Sequence, residues 1–267
     1  MAGPDSRLTP YLDAPRPLAM AHRGGPGLGG SLGVENTMAA FAAAVALGYR
    51  YLETDVRATR DGVPVLVHDA SLDRLAGESV RVADLTYAQL RHRLVGGREQ
   101  VPTLAELLAA YPGVRLNIDV KNADAIEPTV RAVRNAAAEE RVCLASFSDR
   151  ILTRVRALAG PRVTTSCSAT EVLLLRFSPL RRHQALGRRR GASCVQVPWR
   201  SRGLTIVTPG FVRRAHSLGL QVHVWTVDDE PSIRALLGVG ADGLIADQID
   251  VLADVLRAVA SERGRAA

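Results

Sequence analysis

Glu53 and Asp55 stand two residues apart in "YLETDVRATRDGVPVLVHD", residues 51–69, a stretch that reads as a strand, a turn at Asp61-Gly62 and an apolar return ending in His68. Alternate residues of a strand point to the same side, so the two carboxylates share one face while Leu52, Thr54 and Val56 face away. Adjacent carboxylates repel each other, and a semi-buried pair persists only where a cation or a shared proton compensates. In "LNIDVK", Asn117, Asp119 and Lys121 share a face by the same rule, and "LAMAHR" delivers His22 and Arg23 at the end of an earlier apolar run. Three carboxylates from neighbouring strands form a hard oxygen site suited to one divalent cation, Mg2+ or Ca2+, and not to a soft metal. His22 and His68 beside it suit a general base and a general acid, and Arg23 and Lys121 suit the non-bridging oxygens of a phosphate. These parts together fit hydrolysis of a phosphate ester.

Such a constellation needs elements that end at a common place. Eight apolar or β-branched runs, "LAMAHR", "YLETDV", "VRLNIDV", "RVCLAS", "VTTSCS", "CVQVPW", "QVHVWTV" and "DGLIAD", alternate with helix-like stretches that carry start signals, among them the "TLAE" box at 103–106 and Thr208 before Pro209. Repeated βα units of this number predict an α/β fold, a single (β/α)8 TIM barrel over residues 18–262 preceded by an N-terminal extension, 1–17. A ninth run, "VPVLV" at 63–67, follows the strand of Asp55 too closely for a parallel crossover. It must return antiparallel, giving a β-hairpin and a short insertion after strand 2. Centring the turn on Asp61-Gly62 places His68 opposite Asp55 and Ala70 opposite Glu53. "GGPGLGG", residues 24–30, reads as a flexible loop after the first strand.

With 47% hydrophobic and 23% charged residues, the 267-residue chain is globular rather than disordered. Its net charge of +7 is carried by 33 arginines and one lysine, Lys121, and fits an anionic partner. That partner is expected to be a small-molecule phosphodiester and not nucleic acid. Three scattered cysteines without ligand spacing, and a start that lacks an apolar signal core, predict reduced thiols in a cytoplasmic protein. The longest apolar stretch, "TMAAFAAAVALGY", is too short to span a bilayer. "EVLLLRFSPLRRHQALGRRR", residues 171–190, opens as an apolar helix and ends in an arginine cluster. Its readings are a solvated helix and loop, or a peripheral membrane contact through Arg181, Arg182, Arg188, Arg189 and Arg190.

In order, and across nearly the whole chain, "AHRGG", "VENTMAAF", "ETDVRATRDGVPVLVHDASLDR", "VPTLAELL", "NIDVK", "ASFS", "VHVWTV" and "GADGLIAD" resemble the successive motifs of the glycerophosphodiester phosphodiesterase family. The resemblance implies hydrolysis of glycerophosphodiesters to sn-glycerol 3-phosphate and an alcohol. It implies His22 and His68 as the acid/base pair, Glu53, Asp55 and Asp119 as metal ligands, and Arg23 and Lys121 on phosphate. It further implies that Glu35 orders the site from behind and that Trp225 packs against the glycerol moiety. Asp119 stands where the family commonly has glutamate, and related sphingomyelinase D-type phospholipases carry an Asp-x-Lys at the matching strand. Val34 replaces a common proline, and "RLAGES" replaces a threonine-containing segment. The alternative reading is therefore a phospholipase D-like hydrolase acting on lysophospholipids or sphingolipids. A Schiff-base aldolase built on Lys121 would leave the carboxylates and both histidines without a role.

Overall fold

In a computed structural model of the chain, residues 9–266 are described. Eight parallel strands form the barrel: β1 Leu18–Ala21, β2 Tyr51–Ala58, β3 Arg115–Val120, β4 Val142–Ala145, β5 Thr164–Thr165, β6 Cys194–Pro198, β7 Gln221–Trp225 and β8 Gly243–Ala246. They pair in the order β5-β4-β3-β2-β1-β8-β7-β6. The ring closes through a parallel bridge between Ser166 and Cys194 and through the backbone bonds Ser193 N to Thr165 O, 3.0 Å, and Cys167 N to Cys194 O, 2.9 Å. One principal helix follows each strand: α1 Met38–Ala46, α2 Leu104–Ala110, α3 Ile126–Asn135, α4 Asp149–Ala159, α5 Ala169–Phe177, α6 Pro209–His216, α7 Glu230–Gly238 and α8 Ile249–Ala266. No helix among the described residues is long and apolar enough to cross a membrane.

Local sequence accounts for where these helices start. Thr37 caps α1 by accepting from the Ala40 amide, the Thr103–Glu106 box caps α2 reciprocally, and Thr208 caps α6 with Pro209 in its first turn. The apolar faces of helices and strands then merge into one buried layer around the ring, including Phe41, Leu52, Leu107, Ile118, Phe211 and Leu244. A second apolar cluster fills the barrel floor. There Tyr11 and Leu12, on a short 3-10 turn at Pro10–Leu12, pack with Leu18, Met20, Tyr51, Cys143, Cys194 and Ile245. Tyr51 locks this plug edge-to-face on the Tyr11 ring at 5.3 Å and donates its hydroxyl to the Tyr11 carbonyl at 2.6 Å. Of the expected extension, residues 1–8 lie outside the described residues.

The hairpin forms as expected but one residue out of the expected register. Val56 pairs with Leu66, Arg57 with Val65 and Ala58 with Pro64, so Asp55 faces Val67 and not His68. The cause is the turn. Thr59 O accepts from Gly62 N at 2.9 Å and Thr59 N donates to Val63 O at 3.0 Å, with Gly62 at φ 75°, so three residues form the loop and glycine takes the left-handed bulge position. Beyond it, residues 63–101 form the insertion, with two small antiparallel ladders and a core of their own around Val67, Leu75, Leu90 and Val101.

In the glycine-rich loop at 24–30, the first two glycines have a packing role that composition does not reveal. A Cβ on Gly24 would lie 2.8 Å from Ala40 Cβ, and one on Gly25 would lie 2.5 Å from Ile249 Cδ1. Both have positive φ, 84° and 78°. These glycines permit close packing against α1 and the start of α8 instead of supplying flexibility.

Candidate active site

At the carboxyl ends of the strands lies a cavity of about 690 Å³. His22, Arg23, Glu53, Asp55, His68, Asp119, Lys121 and Trp225 all line it, so eight of the nine candidate residues meet in one place. The ninth, Glu35, lies behind Arg23.

The first wall is built at the end of β1. Arg23 has φ 49° and ψ 30°, a left-handed conformation that costs a non-glycine residue of order 1 kcal/mol. Two backbone bonds hold it there: its N–H donates to Glu53 Oε2 at 3.0 Å, and its carbonyl accepts from Asn36 N at 2.8 Å. The guanidinium is divided between Glu35, with Nη1 to Oε1 at 2.9 Å, and Asp55, with Nε to Oδ2 at 3.1 Å. Glu35 in turn accepts from both Nη atoms of Arg74 at 2.7 Å. Burial opposes the Glu35 charge, yet these guanidinium bonds hold its pKa below the usual carboxylate value.

Asn36 and Arg74 did not stand out in the sequence. Asn36 sits in the left-handed region at φ 57°, which asparagine tolerates better than most residues. Its Nδ2 donates to Asp55 Oδ2 at 3.0 Å and its Oδ1 accepts the Thr54 hydroxyl at 2.7 Å, so it aims Asp55. The only signal for it was its place beside Glu35 in "VENT".

Each histidine is anchored through Nδ1 by an aspartate. His22 Nδ1 lies 2.7 Å from Asp247 Oδ1 at the end of β8, and His68 Nδ1 lies 2.7 Å from Asp69 Oδ1. An ionised carboxylate only accepts, so both rings carry their proton on Nδ1 and keep Nε2 for the cavity. Asp69 is tied to Arg74 Nε at 2.7 Å, and the backbone of Asp247 is fixed by a 2.7 Å bond from its N–H to Asp228 Oδ1. His22 Nε2 is 3.8 Å from Glu53 Oε2. Burial disfavours the His22 imidazolium, but Glu53 and Asp247 outweigh it and the pKa is raised.

The carboxylates follow from register. β2 and β3 pair with Asp55 directly opposite Asp119 and Glu53 opposite Asn117. Lys121 Nζ lies between the aspartates, 2.8 Å from Asp55 Oδ1 and 2.6 Å from Asp119 Oδ2. Burial would raise the Asp55 pKa, but Lys121 and Arg23 lower it. At Asp119 burial prevails over Lys121 and the pKa is raised. Glu53 is pushed up to about 7, first by burial and then by Asp55.

That pattern bears on a cation. Among the described residues, no ready-made group of three metal-binding side chains is present, and Lys121 stands between the two aspartates. The donor set nevertheless fits a hard divalent ion. Asp119 Oδ1 is buried without a hydrogen-bond partner, and burial with Asp55 raises the Glu53 pKa against the pull of His22, at 3.8 Å, and Lys121, a balance that a further positive charge would relieve.

The opposite wall has different chemistry. Phe147, Val172, Leu173, Phe177, Leu204 and Ile206 supply it, and Trp225 joins it through an edge-to-face contact with Phe147 at 5.6 Å.

Residues 22–251 match the model of the glycerophosphoryl diester phosphodiesterase family. The chain is 43% identical over 241 residues, covering 90% of each chain, to a Mycobacterium tuberculosis protein named "Probable glycerophosphodiester phosphodiesterase 2". A lysophospholipase D from Rattus norvegicus is 26% identical, with 85% of this chain and 82% of that one covered. The fold superimposes, with a TM-score of 0.78 at 21% identity and 91% and 97% coverage, on an Oleispira antarctica phosphodiesterase solved with the product sn-glycerol-3-phosphate.

Proposed function

Because the chain belongs to the glycerophosphoryl diester phosphodiesterase family, we propose that it cleaves glycerophosphodiesters to sn-glycerol 3-phosphate and an alcohol, using one divalent cation, Mg2+ or Ca2+, at Glu53, Asp55 and Asp119. The observation that carries this reading is the pair of histidines in one cavity, each with Nδ1 held by an aspartate.

One histidine takes, at Nε2, the proton of the nucleophile, a water or a hydroxyl of the substrate itself, as that oxygen bonds to phosphorus. The bond from phosphorus to the departing alcohol breaks, and the other histidine, protonated at both ring nitrogens, gives its Nε2 proton to the alkoxide. Where a substrate hydroxyl attacks, the product is a cyclic phosphate, which a water opens to sn-glycerol 3-phosphate with the two histidines exchanging roles. Lys121 has a third N–H beyond those used on Asp55 and Asp119, and Arg23 has donors beyond those used on Glu35 and Asp55. These remaining donors hold the non-bridging oxygens. The cation, when bound, adds positive charge where negative charge grows on the phosphoryl group. Trp225 and Phe147 shield the glycerol carbons.

The apolar wall favours a second substrate class, lysophospholipids, whose single hydrocarbon chain would lie along Leu173, Phe177 and Leu204. A panel of glycerophosphocholine, glycerophosphoethanolamine and lysophosphatidylcholine, assayed for sn-glycerol 3-phosphate and for released choline, separates the two. The proposal expects turnover that chelation abolishes and Mg2+ or Ca2+ restores. Full activity after thorough chelation overturns the metal assignment, and no hydrolysis of any diester overturns the reaction.

A further inference from the structure

Eight large apolar side chains stand exposed among the described residues, and five of them lie on or beside one side of the cavity mouth. Phe147 is 55% exposed, Leu173 57%, Phe177 52% and Leu204 58%, and all four also line the cavity; Leu180, 44% exposed, follows α5 directly. Arg176 joins their supports into one lip, donating from α5 to the carbonyls of Ile206 at 3.1 Å and Thr205 at 3.3 Å, at the end of a small ladder that pairs Arg200 with Thr205 and Ser201 with Leu204. A contiguous apolar edge of this kind marks a surface that meets a partner.

Charge narrows the partner. Between Val172 and Val227 the chain has ten arginines and no acidic residue, although it carries 27 acidic residues in all. With a total of only +7, the remainder of the molecule is net negative. The arginines nevertheless divide in a way the sequence pattern concealed. Arg188 is spent on the Ala192 carbonyl at 3.3 Å and Arg190 lies 3.7 Å from Glu171, so these two serve the fold. Arg181, which donates to the Ser217 carbonyl at 3.4 Å but is more exposed than Arg188, and Arg182 stand next to Leu180, Arg202 is exposed at the cavity rim, and Arg200 is exposed over the Trp199 ring at 4.6 Å.

We propose that this lip docks the enzyme on anionic lipid bilayers. Leu173, Phe177, Leu180 and Leu204 enter the boundary between headgroups and acyl chains, and Arg181, Arg182, Arg200 and Arg202 meet the anionic headgroups. Protruding leucines beside arginines, on a stretch of sequence without acidic residues, match the apolar and electrostatic requirements of interfacial binding together. The docked orientation turns the cavity mouth toward the bilayer, which lets substrate enter from the membrane surface.

Vesicle flotation tests this with the full chain, comparing phosphatidylcholine vesicles with vesicles that also contain phosphatidylglycerol, at low and high salt. Native protein should float with the anionic vesicles alone and be released by salt, because exposed charges are screened. Each arginine near an anionic surface contributes about fivefold to partitioning, so Arg200→Gln with Arg202→Gln should weaken it by roughly 10- to 30-fold. Phe177→Ser with Leu204→Ser should abolish flotation, while Arg131→Gln, exposed on α3, should change it less than about twofold. A thermal melt of each variant confirms folding. Absence of flotation by the native chain at low salt overturns the proposal, as does unchanged flotation of both paired variants. A concentration-dependent dimer that the same apolar substitutions disperse would also overturn it, by assigning the lip to a second copy.

Discussion

The two walls of the cavity hold their side chains in opposite ways. On the wall built from β1, β2, β3 and β8, Arg23, Glu35, Asp55, Asp119, Lys121 and both histidines each have at least one charged partner within 3.1 Å. Two residues there, Arg23 and Asn36, are held at positive φ by bonds to their neighbours. On the wall built from the loops after β4, β5 and β6, Phe147, Leu173, Phe177 and Leu204 reach into solvent with more than half of their surface uncovered. The first wall is organised before substrate arrives, which is where electrostatic catalysis has its largest effect. The second wall presents apolar side chains that nothing among the described residues covers. The proposed chemistry and the proposed docking thus fall on opposite sides of one opening, and substitutions on the two sides should separate in the same way.

The largest effect tests the organised wall directly. His22→Ala and His68→Ala should each lower kcat on a soluble glycerophosphodiester by roughly 10² to 10⁴ while leaving the fold intact, since positioned acid and base groups contribute on that scale. Leu173→Ala on the facing wall should cost less than about threefold with the same substrate. Steady-state kinetics on the three variants check the contrast. Near-normal turnover of either histidine variant removes that residue from the mechanism, and an equal loss in Leu173→Ala erases the distinction between the walls.

How much of this was legible beforehand differs by the type of signal. The barrel was legible because eight apolar runs recur at βα spacing, and the carboxylate face was legible because strand periodicity is strict. Asp55 and Asp119 do end as direct partners. The hairpin register was not legible, because "RDG" serves a two-residue or a three-residue loop and only the bond from Thr59 N to Val63 O distinguishes them. The glycine loop misled for a related reason. Composition shows that a Cβ is missing but not that Ile249 lies where it would stand. Asp247 was hidden differently, since an aspartate 225 positions from His22 has no sequence mark until the barrel places the two together, whereas Asp69 follows His68 directly and only its Nδ1 bond had to be found. The lip was half visible. Its arginines drew notice as a run, whereas the structure ties Arg188 to the Ala192 carbonyl, pairs Arg190 with Glu171 and exposes Arg200 and Arg202 from another loop.

The next effect concerns Lys121, the one lysine among 34 basic residues. Its Nζ serves Asp55 and Asp119 at once, at 2.8 and 2.6 Å, from a position where it is largely buried. A guanidinium is planar, bulkier and suited to bidentate partners, so it cannot occupy the same point between two carboxylates that face each other across a strand pair. Lys121→Arg should fold but lose about 10- to 1,000-fold in kcat/KM, equivalent to roughly 1.4–4 kcal/mol of transition-state stabilisation. Wild-type kinetics for this variant would mean that the organised wall needs only positive charge there, and not a compact one.

The smallest effect is on stability, and it separates organisation for catalysis from organisation for folding. Glu53 has its pKa pushed up to about 7 by burial and by Asp55, so the folded state favours its protonated form. Below the ordinary glutamate pKa, near 4.5, the carboxyl is neutral in both folded and unfolded chains and contributes no difference. As pH rises from about 4.5 to about 7 the unfolded chain releases a proton that the folded protein keeps, so stability falls across that window, and it levels off above about 7 where both states carry the charge. Glu53→Gln removes that charge while keeping an oxygen to accept the Arg23 N–H. In chelator, the variant should therefore melt above the native protein at pH 8, by an amount worth at most on the order of 3 kcal/mol since each pKa unit corresponds to about 1.4 kcal/mol, and the gap should close by pH 4.5. Added Mg2+ or Ca2+ should raise the melting temperature of the native protein and leave Glu53→Gln nearly unmoved, because the ion supplies the missing positive charge only where the carboxylate remains. Melting curves at the two pH values, with and without cation, check both signs. A variant that is less stable than the native chain at pH 8 in chelator would show that Glu53 is already compensated within the protein, and the organised wall would then not be short of a cation.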